Sequence, residues 1–158
     1  MKLYHGSIQE VRTPKILKPS RTLDYGEGFY ATTSYEQAEH WAARRLKAEN
    51  VVGYVNVYSY EENNDLKKLL FKEANEEWLD FVMKNRTDRG YQHDYDVVFG
   101  PVANDRVYAA FSLYESGFID KQTLIRELKT YTLVDQMLFH TEKALKYLNF
   151  IQAKEVRR

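Results

Sequence analysis

The sequence has no cysteine, three prolines and seven glycines in 158 residues. Without a thiol, disulfides, thiol nucleophiles and cysteine-ligated zinc are excluded. Neither sign of charge dominates, since 23 Lys+Arg face 23 Asp+Glu. A neutral chain has no general electrostatic pull toward nucleic acid or anionic membrane. Its local basic groups are Arg44-Arg45 and the tail Lys154-Glu155-Val156-Arg157-Arg158. No apolar run approaches the roughly 20 residues that cross a bilayer, and Met1-Lys2-Leu3-Tyr4-His5-Gly6 lacks the apolar core of a signal peptide. A cytoplasmic protein with no membrane partner is expected. No repeat, low-complexity tract or Pro/Gly-rich linker interrupts the chain, so residues 1–158 are expected to form one domain.

Aromatic side chains, by contrast, are abundant: 13 Tyr and 8 Phe. They suit strands and a cleft lined with flat rings. Lys2-Leu3-Tyr4-His5 reads as a first strand ended by Gly6-Ser7, and Pro14 and Pro19 bracket an extended loop. The turn-rich Asp24-Tyr25-Gly26-Glu27-Gly28 feeds a short strand, Phe29-Tyr30-Ala31-Thr32. Ser34 and Gln37 form a capping-box pattern ahead of a helix to about Lys47, with Ala38, Trp41, Ala42 and Leu46 on one stripe. Residues 51–60 alternate as a strand, and 66–71 suggest another. A helix over 76–85 points Trp78, Phe81 and Val82 inward. Asp96 to Pro101 is a buried strand. Asn104 or Asp105 caps a helix ending near Gly117, and Asp120 caps a shorter one with Leu124, Ile125 and Leu128. Residues 136–140 form a strand, and Thr141 caps a last helix bearing Ala144, Leu145 and Leu148. Strands and helices mix without a βαβ rhythm, which predicts an α+β fold.

Three segments have the residue types for chemistry. In Tyr4-His5-Gly6-Ser7 a ring donor stands beside a backbone with no side chain, which a flat amide can approach closely. In Tyr25 to Ser34 two glycines lead into an aromatic strand and a capped helix. In Asp135 to Thr141, strand alternation lets only one of Asp135 and Gln136 face a given cleft. His40, His93 and His140 lack ligand-type spacing with one another, so no metal is expected.

The pairing of Tyr4-His5-Gly6-Ser7 with Gly26-Glu27-Gly28-Phe29-Tyr30-Ala31 resembles the poly(ADP-ribose) polymerase and diphtheria-toxin group of ADP-ribosyltransferases, which carries a His-Tyr-Glu triad on three strands. Over nearly its whole length the chain also resembles a bacterial family found in toxin–antitoxin-like gene arrangements, through Tyr95 to Asp105 and Phe139 to Leu145. The resemblance implies split antiparallel sheets with flanking helices, NAD as co-substrate, and an antitoxin-like protein partner. It implies that His5 bonds the adenosine ribose, Gly6 holds the nicotinamide amide, and Ser7 lies near the dinucleotide. Tyr30 and Trp41 would stack on the nicotinamide ring; such contacts are worth roughly 0.5–2 kcal/mol each.

Gln136 stands where the triad has glutamate. A glutamine keeps the hydrogen bond to the ribose and brings no charge; losing one preorganised electrostatic partner commonly costs about 10²–10³ in rate. Transfer of a single ADP-ribose to an unknown macromolecular or small-molecule acceptor is expected. The alternative is a degenerate module that binds NAD, ADP-ribose or a protein without turnover. Transfer to a phosphate-bearing RNA ranks below both, because the chain is neutral.

Overall fold

The computed structural model describes residues 1–18, 23–49, 51–103, 105–131 and 133–157. Pro19 and Asn104 lie outside them. The strands are β1 (Lys2–Ser7), β2 (Phe29–Ala31), β3 (Val52–Tyr60), β4 (Lys68–Leu70), β5 (Val97–Pro101), β6 (Asp135–Phe139) and β7 (Leu148–Arg157). The helices are α1 (Tyr35–Arg44), α2 (Glu76–Thr87), α3 (Asp105–Glu115), α4 (Lys121–Lys129) and α5 (Glu142–Leu145). The fold is α+β.

Two sheets divide the strands, one in the order β1-β3-β7 and one in the order β2-β6-β5-β4. The first is antiparallel throughout. The second corrects the expectation of purely antiparallel sheets, because β4 runs parallel to β5. Helix α2 supplies the connection that returns the chain for such a pairing. Among the described residues one bridge joins the two sheets: Tyr4 and Thr32 exchange both backbone hydrogen bonds, at 2.8 and 2.9 Å. β1 and β2 are therefore neighbours at one point and open beyond it.

Three cores follow from strand alternation. Leu3, Tyr58 and Tyr60 face Phe29, Val97, Met137 and Phe139 between the sheets. Ala38 and Ala42 of α1 cover Val55, Val57 and Val156 on the outer side of the first sheet. Trp78, Leu79, Val107, Phe111, Leu124 and Leu128 of α2, α3 and α4 cover Val98 and Leu138 on the outer side of the second.

The capping residues act as the sequence suggests: side chains of Ser34, Asp120 and Thr141 accept from the backbone N–H three residues on. Asn75 does the same for α2. The helix stripes are narrower than expected, for α1 ends at Arg44 and buries Ala38 and Ala42, leaving Trp41 and Leu46 partly exposed. The largest departure is at the end of the chain. The helix expected after Thr141 is one turn long, and Leu148 instead opens a strand of 10 residues paired along β3.

Candidate functional site at the seam between the sheets

The site is built on the parting of β1 from β2. Tyr4 directs its N–H and C=O at Thr32, so it faces away from β3. In an antiparallel strand, backbone groups two residues apart point to the same side. Gly6 therefore directs its N–H and C=O toward β2 as well, where the strands have separated. Its missing side chain serves a different direction. A Cβ at Gly6 would lie 2.0 Å from the Ala38 carbonyl oxygen and 2.8 Å from the Ala42 nitrogen. Glycine thus lets β1 lie directly on α1 while its backbone edge points toward β2.

His5 spans the seam. Its Nδ1 lies 2.6 Å from the Tyr30 carbonyl oxygen, and its ring packs on Phe29 with centroids 4.3 Å apart. A carbonyl only accepts, so Nδ1 carries the proton and Nε2 is left as an acceptor. Burial, opposed by the Tyr30 bond and assisted by the Arg45 charge, lowers the His5 pKa to about 4. The ring is neutral at physiological pH, which suits accepting from a ribose hydroxyl.

Tyr30 presents a ring whose hydroxyl is already engaged. It donates to the Gly26 carbonyl at 2.5 Å and accepts from the Tyr25 N–H at 3.1 Å. Burial holds the phenol well above its usual pKa, and the ring packs against the core beneath α2, α3 and α4. The turn that receives this hydroxyl depends on Gly28 at φ +143°, where a Cβ would meet the Phe139 carbonyl oxygen at 2.3 Å.

β6 lies beside β2 in a register pairing Tyr30 with Leu138 and Ala31 with Met137. Alternation places the Gln136 side chain on the face of Leu138 and Tyr30, the face that Gly6 and Tyr4 share across the bridge. Gln136 is buried, and its Nε2 donates to Asp24 Oδ2 at 3.2 Å and to the Pro101 carbonyl at 3.3 Å. Asp135 faces the other way. It accepts from Thr32 Oγ1 at 3.2 Å, the Thr33 N–H at 2.8 Å and the Thr33 hydroxyl, pinning the approach to α1. The strand register thus puts Gln136, not Asp135, on the Tyr30 face.

Of the expected residues, His5, Gly6 and Tyr30 meet at the seam, and Gln136 lies on the Tyr30 face. His5 itself reaches the seam from the opposite face, with Phe29. Trp41 is half-buried on α1, next to the Ala42 that abuts Gly6. Ser7 is buried and its Oγ accepts from the Gln9 N–H at 3.2 Å, a local turn bond.

Sequence reasoning missed two residues. Asp24, read as part of a turn, is a buried carboxylate bonded to Gln136 and to the Tyr108 hydroxyl, the latter at 3.2 Å. Asn56 on β3 is fully buried; it accepts from the Val11 N–H at 2.8 Å and donates to the carbonyls of Gln9 at 3.1 Å and His5 at 3.3 Å. An interior Asn in an otherwise apolar strand is the one local signal for the second.

Behind the site, His93 and His140 stack with centroids 4.0 Å apart, although their spacing in the sequence is not of a metal-ligand type. His93 Nε2 donates to the Tyr25 carbonyl at 2.8 Å and His140 Nδ1 to the Glu27 carbonyl at 2.7 Å, so the two rings clasp the glycine turn. No group of three or more metal-ligating His, Asp or Glu side chains occurs among the described residues. None of the described helices is long and apolar enough to cross a membrane.

No curated protein and no solved structure matches the chain. A family model described as a protein of unknown function, DUF3990, matches residues 1–150, a span that includes the seam, the glycine turn and Gln136. The chain belongs to the DUF3990 family.

Proposed function

We propose that the protein is an NAD-dependent mono-ADP-ribosyltransferase that cleaves the nicotinamide–ribose bond and passes ADP-ribose to an acceptor. The observation that carries this reading is the Gly6 backbone edge directed toward β2 just beyond the Tyr4–Thr32 bridge, with the His5–Tyr30 bond beside it. A carboxamide needs one donor and one acceptor side by side, and an unpaired stretch of strand offers both. The Tyr30 ring gives a flat face for the pyridinium. The neutral His5 leaves Nε2 to accept from ribose. Gln136, on the Tyr30 face, provides an amide for the ribose next to the bond that breaks.

In the reaction the electron pair of the C–N bond leaves with nicotinamide, which becomes neutral. The positive charge passes to the ribose, and water or an acceptor group attacks its C1 and gives up a proton. The resemblance to toxin–antitoxin-like families supports a toxin or defence effector held in check by a protein partner.

Because Gln136 carries no charge, one specific observation favours a second reading, NAD or ADP-ribose binding without turnover. The test is nicotinamide release from NAD by the wild type and Tyr30→Ala. Release in the wild type that falls at least tenfold in the variant supports transfer. Equal release in both removes the reading, and binding of NAD with no release under any acceptor supports the second. Labelled NAD in a lysate, with and without nuclease, then separates nucleic-acid from protein acceptors.

A further inference from the structure

We propose that Asp24 is a positioning residue for this reaction: it locks the Gln136 amide in one orientation and supplies, from behind it, the negative charge that a glutamate would carry itself. The inference rests on the transferase reading above and deepens it.

The geometry begins with the amide. Both acceptors reached by Gln136 Nε2, Asp24 Oδ2 and the Pro101 carbonyl, lie at 3.2–3.3 Å. A carbonyl and a carboxylate oxygen both call for the NH₂ end, so the amide has one satisfied orientation. That orientation leaves Oε1 as its acceptor. Oε1 accepts no hydrogen bond among the described residues, and the residue is 5% exposed. With Nε2 engaged, Oε1 is the atom left to accept from a ribose hydroxyl.

Asp24 is itself held in place. Its Oδ1 accepts from Tyr108 at 3.2 Å, and the residue is 7% exposed. Burial holds its pKa above the usual carboxylate value; the Gln136 amide, the Arg86 charge, the Tyr108 hydroxyl and the Ala103 backbone act the other way and limit that rise. An asparagine would serve a turn at this position equally well, so the turn alone does not account for a buried carboxylate. A carboxylate accepting from an amide N–H polarises that amide and makes its oxygen a stronger acceptor. It also places negative charge on the side of the ribose where positive charge develops. No proton moves to or from Asp24 or Gln136 in this role, and neither forms a bond to the ribose.

The test measures nicotinamide release and NAD affinity in the wild type, Asp24→Asn and Asp24→Asn/Gln136→Glu. Asp24→Asn is expected to lose about 10²-fold in kcat while NAD affinity stays within about threefold. The double variant moves the charge one side chain forward and keeps a donor–acceptor pair between the two positions. It is expected to recover most of the lost kcat, and it keeps the test decisive if the single variant folds poorly. Full activity in Asp24→Asn overturns the inference and leaves the transferase reading standing. So does a double variant no better than the single, or a loss of affinity in proportion to kcat. A wild type that binds NAD and releases no nicotinamide overturns both.

Discussion

The His5 ring donates to the backbone carbonyl of Tyr30 at 2.6 Å, joining two strands that belong to different sheets. Next to the Tyr4–Thr32 bridge, it is the described side-chain bond that holds β1 to β2 where they part. The bond needs only the neutral imidazole, and the buried ring resists taking a second proton.

That resistance sets a pH dependence. An unfolded histidine titrates near 6.5 and the folded His5 at about 4. The unfolded state takes up the proton first as pH falls. The contribution of His5 is therefore complete above pH 6.5 and is lost as pH drops toward 4. At roughly 1.4 kcal/mol per pH unit, unfolding free energy should fall by about 2 kcal/mol between pH 6.5 and 5. Denaturant unfolding at both pH values, in the wild type and His5→Gln, checks this; an identical slope in the two proteins would refute it.

The contact between Gly6 and α1 predicts a sharp contrast among glycines. Ala38 O and Ala42 N are backbone atoms and cannot swing aside from a Cβ at 2.0 and 2.8 Å. Gly6→Ala should destabilise the fold by about 3 kcal/mol. Gly90→Ala meets only the Asp88 side chain, at 3.6 Å, and should stay within about 0.5 kcal/mol of wild type. Thermal unfolding of the two variants decides it, and similar midpoints would show that α1 can retreat from β1.

Tyr25 and Trp78 carry a second stability prediction. The Trp78 indole donates to the Tyr25 hydroxyl at 2.8 Å, and that hydroxyl donates to the Pro101 carbonyl at 2.8 Å. Tyr25→Phe keeps the ring and strands a buried indole N–H. The loss should be about 1–3 kcal/mol, read by urea unfolding. A change below about 0.5 kcal/mol would mean that the indole finds another acceptor.

The stacked histidines predict a shift at His93. His93 is held below its usual pKa by burial first, against the Tyr25 bond, with the neighbouring His140 charge lowering it further. His140→Asn removes that charge and can keep a donor for the Glu27 carbonyl. The His93 pKa should rise in the variant, as followed by the pH dependence of its ring proton resonances. No change, or a fall, would show that His140 does not lower the His93 pKa.

Local signals in the sequence sufficed wherever structure is decided locally. Ser34, Asp120 and Thr141 cap helices because their side chains reach N–H groups three residues away, and the alternation of β3 reports a strand covered on both faces. β7 was illegible for the opposite reason. Its outward residues Asn149, Ile151, Gln152, Lys154 and Glu155 are exposed, so no period of two survives. What makes it a strand is pairing with β3, some hundred residues earlier. The same distance hid Asp24. Nothing near it predicts a partner 112 residues on, and a carboxylate in a glycine turn reads as solvated until β6 is laid beside β2. His5, Gly6 and Tyr30 were recognisable because their motifs are short, whereas the fixed orientation of Gln136 depends on a carbonyl from β5.

β7 also bears on synthesis. β3 is flanked by β1 on one side and β7 on the other, and Val156 completes the core beneath α1. While residues 148–157 are still inside the ribosomal tunnel, that side of β3 is bare and α1 rests on an unfinished base. The strand bearing His5 and Gly6 is translated before residues 148–157, which complete its platform. A nascent chain is thus denied a finished seam until those residues have emerged.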